Sequence, residues 1–158
     1  PSTSHAQTEL WNGSSWTEVA DLNQGRRDWA GSNGTQTSAL VYGGTNDPPS
    51  YALTESWNGS SWTEVADLNV ATISGAGAGA DNTSALQFGG NTGSPVAKTE
   101  LWNGSSWAET TDLSTARRNL AGTGTQASAL AFGGSPDTAS TEEWTGPGVP
   151  VVKTITTD

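Results

Sequence analysis

The chain of 158 residues contains no cysteine and no methionine, one histidine, two tyrosines and two phenylalanines. The missing cysteines exclude a disulfide framework, a thiolate zinc site and a cysteine nucleophile together. His5 is the single imidazole, so no metal cluster or cofactor site and no general-base constellation is expected, and the chain reads as non-enzymatic. The stretch Gly75-Ala-Gly-Ala-Gly79 lacks the lysine and the following helix of a phosphate loop. Cations are scarce too: six Lys and Arg face sixteen Asp and Glu, for a net charge of −10. Binding by phosphate neutralisation is thereby disfavoured, and neither nucleic acid nor an anionic membrane is an expected partner. No apolar run approaches the roughly 18 residues of a membrane span. No basic-then-apolar leader precedes the first polar residues. The chain opens on Pro1 without a methionine, which suggests a processed chain or a segment of a longer one.

What is abundant is glycine, with 20 residues, and tryptophan, with 8. So many large aromatic side chains argue for a folded chain despite the polar, acidic composition. The tryptophans recur. Thr8-Glu-Leu-Trp-Asn-Gly-Ser-Ser-Trp-Thr-Glu-Val-Ala-Asp-Leu22 returns almost unchanged from Thr54 to Leu68 and from Thr99 to Leu113, and a fourth copy starts at Thr141-Glu-Glu-Trp-Thr-Gly. Successive starts lie 46, 45 and 42 residues apart. Between them a second element repeats, as Ser38-Ala-Leu-Val-Tyr-Gly-Gly44, Ser84-Ala-Leu-Gln-Phe-Gly-Gly90 and Ser128-Ala-Leu-Ala-Phe-Gly-Gly134, each preceded by a glycine-rich stretch.

Asn-Gly between runs of Trp, Thr and Val predicts tight hairpins, because both residues tolerate the positive φ such a turn demands. A four-residue Asn-Gly-Ser-Ser loop sets Trp11 against Trp16, Trp57 against Trp62 and Trp102 against Trp107, pairs that each add roughly 0.2–1 kcal/mol over Ala–Ala. The Ser-Ala-Leu-x-aromatic runs, small and apolar and closed by Gly-Gly, are expected to be the crowded inner strands. No segment repeats apolar residues at helical spacing, so essentially no helix is expected beyond a turn near Asp112 to Arg118.

A period of 42–46 residues with about four strands fits one blade of a β-propeller, an all-β fold. The order strand, Gly-Gly, variable loop, aromatic, tight turn, Trp resembles the kelch motif, carried by Gly43-Gly44 with Trp57 and Trp62 and by Gly89-Gly90 with Trp102 and Trp107. The wording Trp-Asn-Gly-Ser-Ser-Trp-Thr-Glu-Val with Ala116-Arg-Arg118 and Ala-Leu-Ala-Phe-Gly-Gly is similar to kelch-like repeats of phage tail-fibre and other virion structural proteins, over residues 8 to about 146. That resemblance implies a kelch-like propeller domain over residues 1–148, virion or extracellular. It also implies a structural role with host-surface binding to a glycan or protein, or else a purely architectural one in a fibre or surface layer. The expected partners are further copies of the chain or other virion subunits. Three units are fewer than a closed ring usually needs. An end-to-end clasp, a six-bladed ring of two chains and a longer array are all open.

The repeated tryptophans read as packing between blades, with a sugar-binding face as the alternative. Trp29 occurs in one repeat only, among Arg26, Arg27 and Asp28, and is a candidate recognition residue as well as an ordinary edge contact. Arg26 and Arg27 recur as Arg117 and Arg118, while the middle repeat has Thr72 and Ile73. They are candidates for an anion or acidic-sugar site, against which stands pairing with the repeated Glu and Asp. Tyr51 joins the candidates from the variable loop 45–53; the other variable loops are 91–98 and 135–140. The repeated acids Glu9, Glu55 and Glu100, like Asp21, Asp67 and Asp112, are spaced by the period, which marks scaffold rather than a paired-carboxylate site. Asn12, Asn33, Asn58, Asn82 and Asn103 form sequons, four of them Asn-Gly sequences explained by turn chemistry. Residues 149–158 leave the pattern, and Val151–Thr157 is expected to run as an extended strand packing outside the repeat.

Overall fold

The computed structural model describes residues 5–136 and 139–146. The tail from 149 to 158, with its expected strand, lies outside the described residues. Thirteen strands and no helix make up the described chain. The Asn-Gly-Ser-Ser turns set the outer hairpins: Asn58 Oδ1 accepts hydrogen bonds from the Ser60 and Ser61 N–H groups at 3.0 Å, while Gly59 takes a φ of 95° that a Cβ would oppose. Asn12 and Asn103 repeat the arrangement. The register then follows the expectation, with Trp11 opposite Trp16, Trp57 opposite Trp62 and Trp102 opposite Trp107, ring centroids 5.3–5.4 Å apart and tilted by 45°.

The strands form four antiparallel sheets. An N-terminal ribbon pairs β1 (Glu9–Trp11) with β2 (Trp16–Glu18). The first sheet runs in order through β3 (Gly31–Thr35), β4 (Ser38–Tyr42), β5 (Thr54–Trp57) and β6 (Trp62–Val65). The second repeats it with β7 (Ala76–Asp81), β8 (Ser84–Phe88), β9 (Thr99–Trp102) and β10 (Trp107–Glu109). The third has β11 (Ala121–Thr125), β12 (Ser128–Phe132) and β13 (Thr141–Trp144). Among the described residues the ribbon pairs with no strand of the third sheet, so the ends are not clasped.

One expectation is corrected. The crowded strands are the glycine-rich β3, β7 and β11, with β7 packed between the other two; the Ser-Ala-Leu strands come second in each sheet. The reason is steric. A Cβ on Gly122 would stand 2.5 Å from Phe88 Cζ, and one on Gly77 would collide with the Tyr42 hydroxyl. Asn33-Gly34, expected in a turn, lies inside β3, where Asn33 Nδ2 donates to the Asp81 carbonyl of the next sheet at 2.7 Å.

Period-two alternation on the second strands builds the core between sheets. Leu40 and Tyr42 of β4 meet Ala85, Trp102 and Trp107 of the second sheet. Leu86 and Phe88 of β8 meet Ala129 and Ala131 of the third. On β12 the same alternation leaves Leu130 and Phe132 36% and 39% exposed among the described residues. Tryptophan burial follows the same gradient: Trp57, Trp102 and Trp107 are buried, whereas Trp11 and Trp16 of the ribbon are 45% and 63% exposed.

Candidate functional site

The first strand of each sheet begins where its second strand ends, so the variable loops 45–53 and 91–98 and the start of the third, at residues 135 and 136, emerge at one end of the sheets beside Arg27, Ile73 and Arg118. Isolated bridges fix the adjacency: Arg27 with Thr45, Ile73 with Asn91, Arg118 with Ser135. Sideways, Asn119 N–H donates to the Ser74 carbonyl at 2.7 Å and Ser74 N–H to that of Asp28 at 2.9 Å. These three residues hold matching positive φ values of 53°, 54° and 52°, a strained backbone for side chains other than glycine. The loop end is therefore laced together by main-chain bonds across all three sheets.

The candidate arginines divide. Arg26 and Arg117 are buried. Arg26 donates through Nη1 to the Leu53 carbonyl at 2.8 Å and through Nη2 to Glu55 Oε1 at 2.6 Å. Arg117 repeats this on the Ser140 carbonyl and Glu142 Oε1, both at 2.8 Å. Desolvation lowers the Arg26 pKa from its ordinary value, and the adjoining Glu55 carboxylate opposes that shift. These ion pairs belong to the packing of a loop against the third strand. Arg27 is partly exposed and reaches Asp47 Oδ1 at 3.0 Å, tying the start of β3 to the tip of the first variable loop. Arg118 is half-buried, and its backbone exchanges hydrogen bonds with Ser135. Tyr51 is half-buried, with its N–H on the Gly44 carbonyl at 2.7 Å.

Trp29 keeps its standing as a candidate. The Arg26 guanidinium sits 5.4 Å from its ring centroid, and the indole lines a shallow groove with Ser32, Gly75, Gly77, Leu120 and Gly122. In the other sheets Gly75 and Leu120 take its place, so the aromatic face is confined to one side of the groove. The structure thus gathers Trp29, Arg27 and Tyr51 beside the first variable loop with Arg26 beneath the Trp29 ring, and seats Arg117 apart from them, against Glu142 of the third sheet. Among the described residues no group of His, Asp and Glu is arranged to hold a metal ion, and no helix is long and apolar enough to cross a membrane.

Sequence reasoning missed the interlock between neighbouring sheets. Trp62 Nε1 donates to Thr8 Oγ1 at 3.0 Å, and Trp107 Nε1 to Thr54 Oγ1 at 3.1 Å. The signal was present in the repeated Thr of each Thr-Glu pair. No family model matches the chain, and no curated protein matches its sequence at a significant level.

Proposed function

We propose that the protein is a non-enzymatic scaffold of kelch-like propeller blades in a virion appendage, displaying its variable loops to a glycan or protein on a host surface. The observation that carries this reading is the common end shared by the length-variable loops and Trp29, above a framework in which the repeated Glu55, Glu100 and Glu142 and the repeated Leu40 and Leu86 are buried. The repeated side chains hold the sheets together, so variation is tolerated only where the loops leave them. The strongly acidic surface fits an uncharged or cationic ligand better than an anionic one. With Arg26 and Arg117 drawn into ion pairs, an acidic sugar would meet few free cations.

The test replaces the exposed loop tips 46–49 and 92–94 with Gly and Ser of equal length, alone and together with Trp29→Ala. Binding of the intact chain on a glycan array or to host cells, lost in these variants at unchanged melting temperature, is the expected result. An intact chain that binds neither sugars nor cells is instead an architectural subunit.

A further inference from the structure

The Trp–Thr interlock occurs twice and has a third, unfilled half. Thr99 stands on β9 where Thr54 stands on β5 and Thr8 precedes β1, and it is 2% exposed. Its Oγ1 is buried with no hydrogen-bond partner. Beside it opens an apolar slot lined by Leu86, Phe88, Leu113, Ala129 and Trp144. In the preceding sheet the corresponding place is taken by Trp107, which donates to Thr54 Oγ1 and packs edge-on against Tyr42 at 4.8 Å. The residue that would fill the slot is a tryptophan on a fourth strand, and β13 has no fourth strand beside it among the described residues. One tryptophan of that register is unseated: Trp16 on β2, 63% exposed.

We propose that the ribbon β1–β2 of a second copy of this chain completes the third sheet, its Trp16 entering the slot and donating to Thr99 Oγ1. The ribbon brings a third and a fourth strand already paired, and it takes the place of β13 beside β12. The exchange is chemically even, because Thr8-Glu9-Leu10-Trp11 presents the same Thr, Glu and Trp as Thr141-Glu142-Glu143-Trp144. Glu9 meets Arg117 in place of Glu142, and Trp11 meets the Gln126 carbonyl now held by Trp144 Nε1. The net gain is the fourth strand, the Trp16 interlock and a cover for the exposed face of β12. That cover is the second copy's first sheet, which carries the ribbon and turns Ser32, Ala39 and Val41 toward it. These are the positions that in the second and third sheets lie against the preceding sheet, where Ala85, Gln87, Ala129 and Ala131 are buried.

Two such junctions close a ring of six four-stranded sheets from two chains, within the usual range of about four to eight. Ser32 stands where the second and third sheets have Gly77 and Gly122, so its Cβ holds the approaching Phe132 ring back and Ser32→Gly is expected to tighten the junction.

Light scattering on the full chain over a concentration series is the test. Expected is a two-copy species of twice 16.2 kDa, with Trp16→Ala and Phe132→Glu each raising its dissociation constant by at least about tenfold. Both residues are exposed in the single chain, so far-UV circular dichroism and the melting temperature of the dissociated variants should match those of the dissociated parent. Mixing the two variants pairs one intact slot with one intact ribbon and should yield an open two-copy complex at concentrations where neither variant pairs with itself. A 16.2 kDa species at every concentration, an assembly indifferent to Trp16→Ala, or a mixture without complex would each overturn the proposal. Loop-ligand binding is a separate measurement, unaffected by Trp16→Ala in the single chain.

Discussion

Glu55, Glu100 and Glu142 occupy the same place on the third strand of successive sheets, yet only the first and last face an arginine. Glu55 accepts from the Asn23 and Gln24 N–H groups, Asn23 Nδ2 and Arg26; Glu100 accepts from Asn69 twice and from Val70 N–H. Where the first and third sheets have arginine, the second has Thr72, and the Gly89 carbonyl that an arginine would serve is met at 2.7 Å by Gln87 Nε2. Gln87 replaces Val41 and Ala131 of the other sheets, so a cation was exchanged for an amide at two coupled positions. Arg26→Thr should therefore cost about 3 kcal/mol, since it takes the counter-charge from the buried Glu55 carboxylate and the side-chain donor from the Gly43 and Leu53 carbonyls. Adding Val41→Gln should restore about 1 kcal/mol, the usual net worth of a buried hydrogen bond. Urea denaturation measures both, and a cost below about 1 kcal/mol for Arg26→Thr would show the pair to be dispensable. The sequence announced this site only as recurring arginines and recurring acids. Which of them meet could not be read from spacing, because the partners lie on a loop and a strand 29 residues apart.

At the scale of the strand, the hairpins were fully legible and the inner strand was not. Trp-Asn-Gly-Ser-Ser-Trp fixes turn, register and cross-strand pair within a few residues, and local chemistry decides the outcome. Ala-Gly-Thr-Gly-Thr carries no apolar alternation and reads as loop by composition, so the more strand-like Ser-Ala-Leu run attracted the inner position. Close packing between sheets reverses that preference. Glycine in β7 and β11 is what allows the aromatic ring of one sheet to lie on the backbone of the next, Tyr42 on Gly77 and Phe88 on Gly122. Gly77→Ala should cost about 1–3 kcal/mol through overpacking against the Tyr42 hydroxyl. Removing that oxygen in Tyr42→Phe leaves the ring carbon 3.1 Å from the new methyl, so Gly77→Ala combined with Tyr42→Phe should lose less than the sum of the two changes. Additive losses in thermal melts would mean that the two residues do not share the contact.

Across the whole molecule stability is expected to be unequal, because each sheet is held by its neighbours and the sheets do not have equal numbers of them. The second sheet is buried on both faces. The first has the ribbon on one side, anchored by the Trp62–Thr8 bond and by Asn23 on Glu55. Among the described residues the third has three strands and an exposed Leu130 and Phe132, and it leaves the buried Thr99 hydroxyl of the second sheet without a partner. Local opening costs least where buried apolar contacts are fewest, so hydrogen exchange in the dilute single chain should be fastest in β11 to β13, slower in β3 to β5 and slowest in β7 to β9. Binding that favours the folded form raises stability by mass action, and it does so most for the elements it covers. If a second copy closes over β12 and β9, raising the protein concentration should slow exchange in β11 and β12 by at least about tenfold. In β13 it should do the reverse, because that strand leaves its place to β1. Docking of a second copy against an intact third sheet would protect β11, β12 and β13 alike, so the opposite response of β13 separates strand exchange from simple stacking.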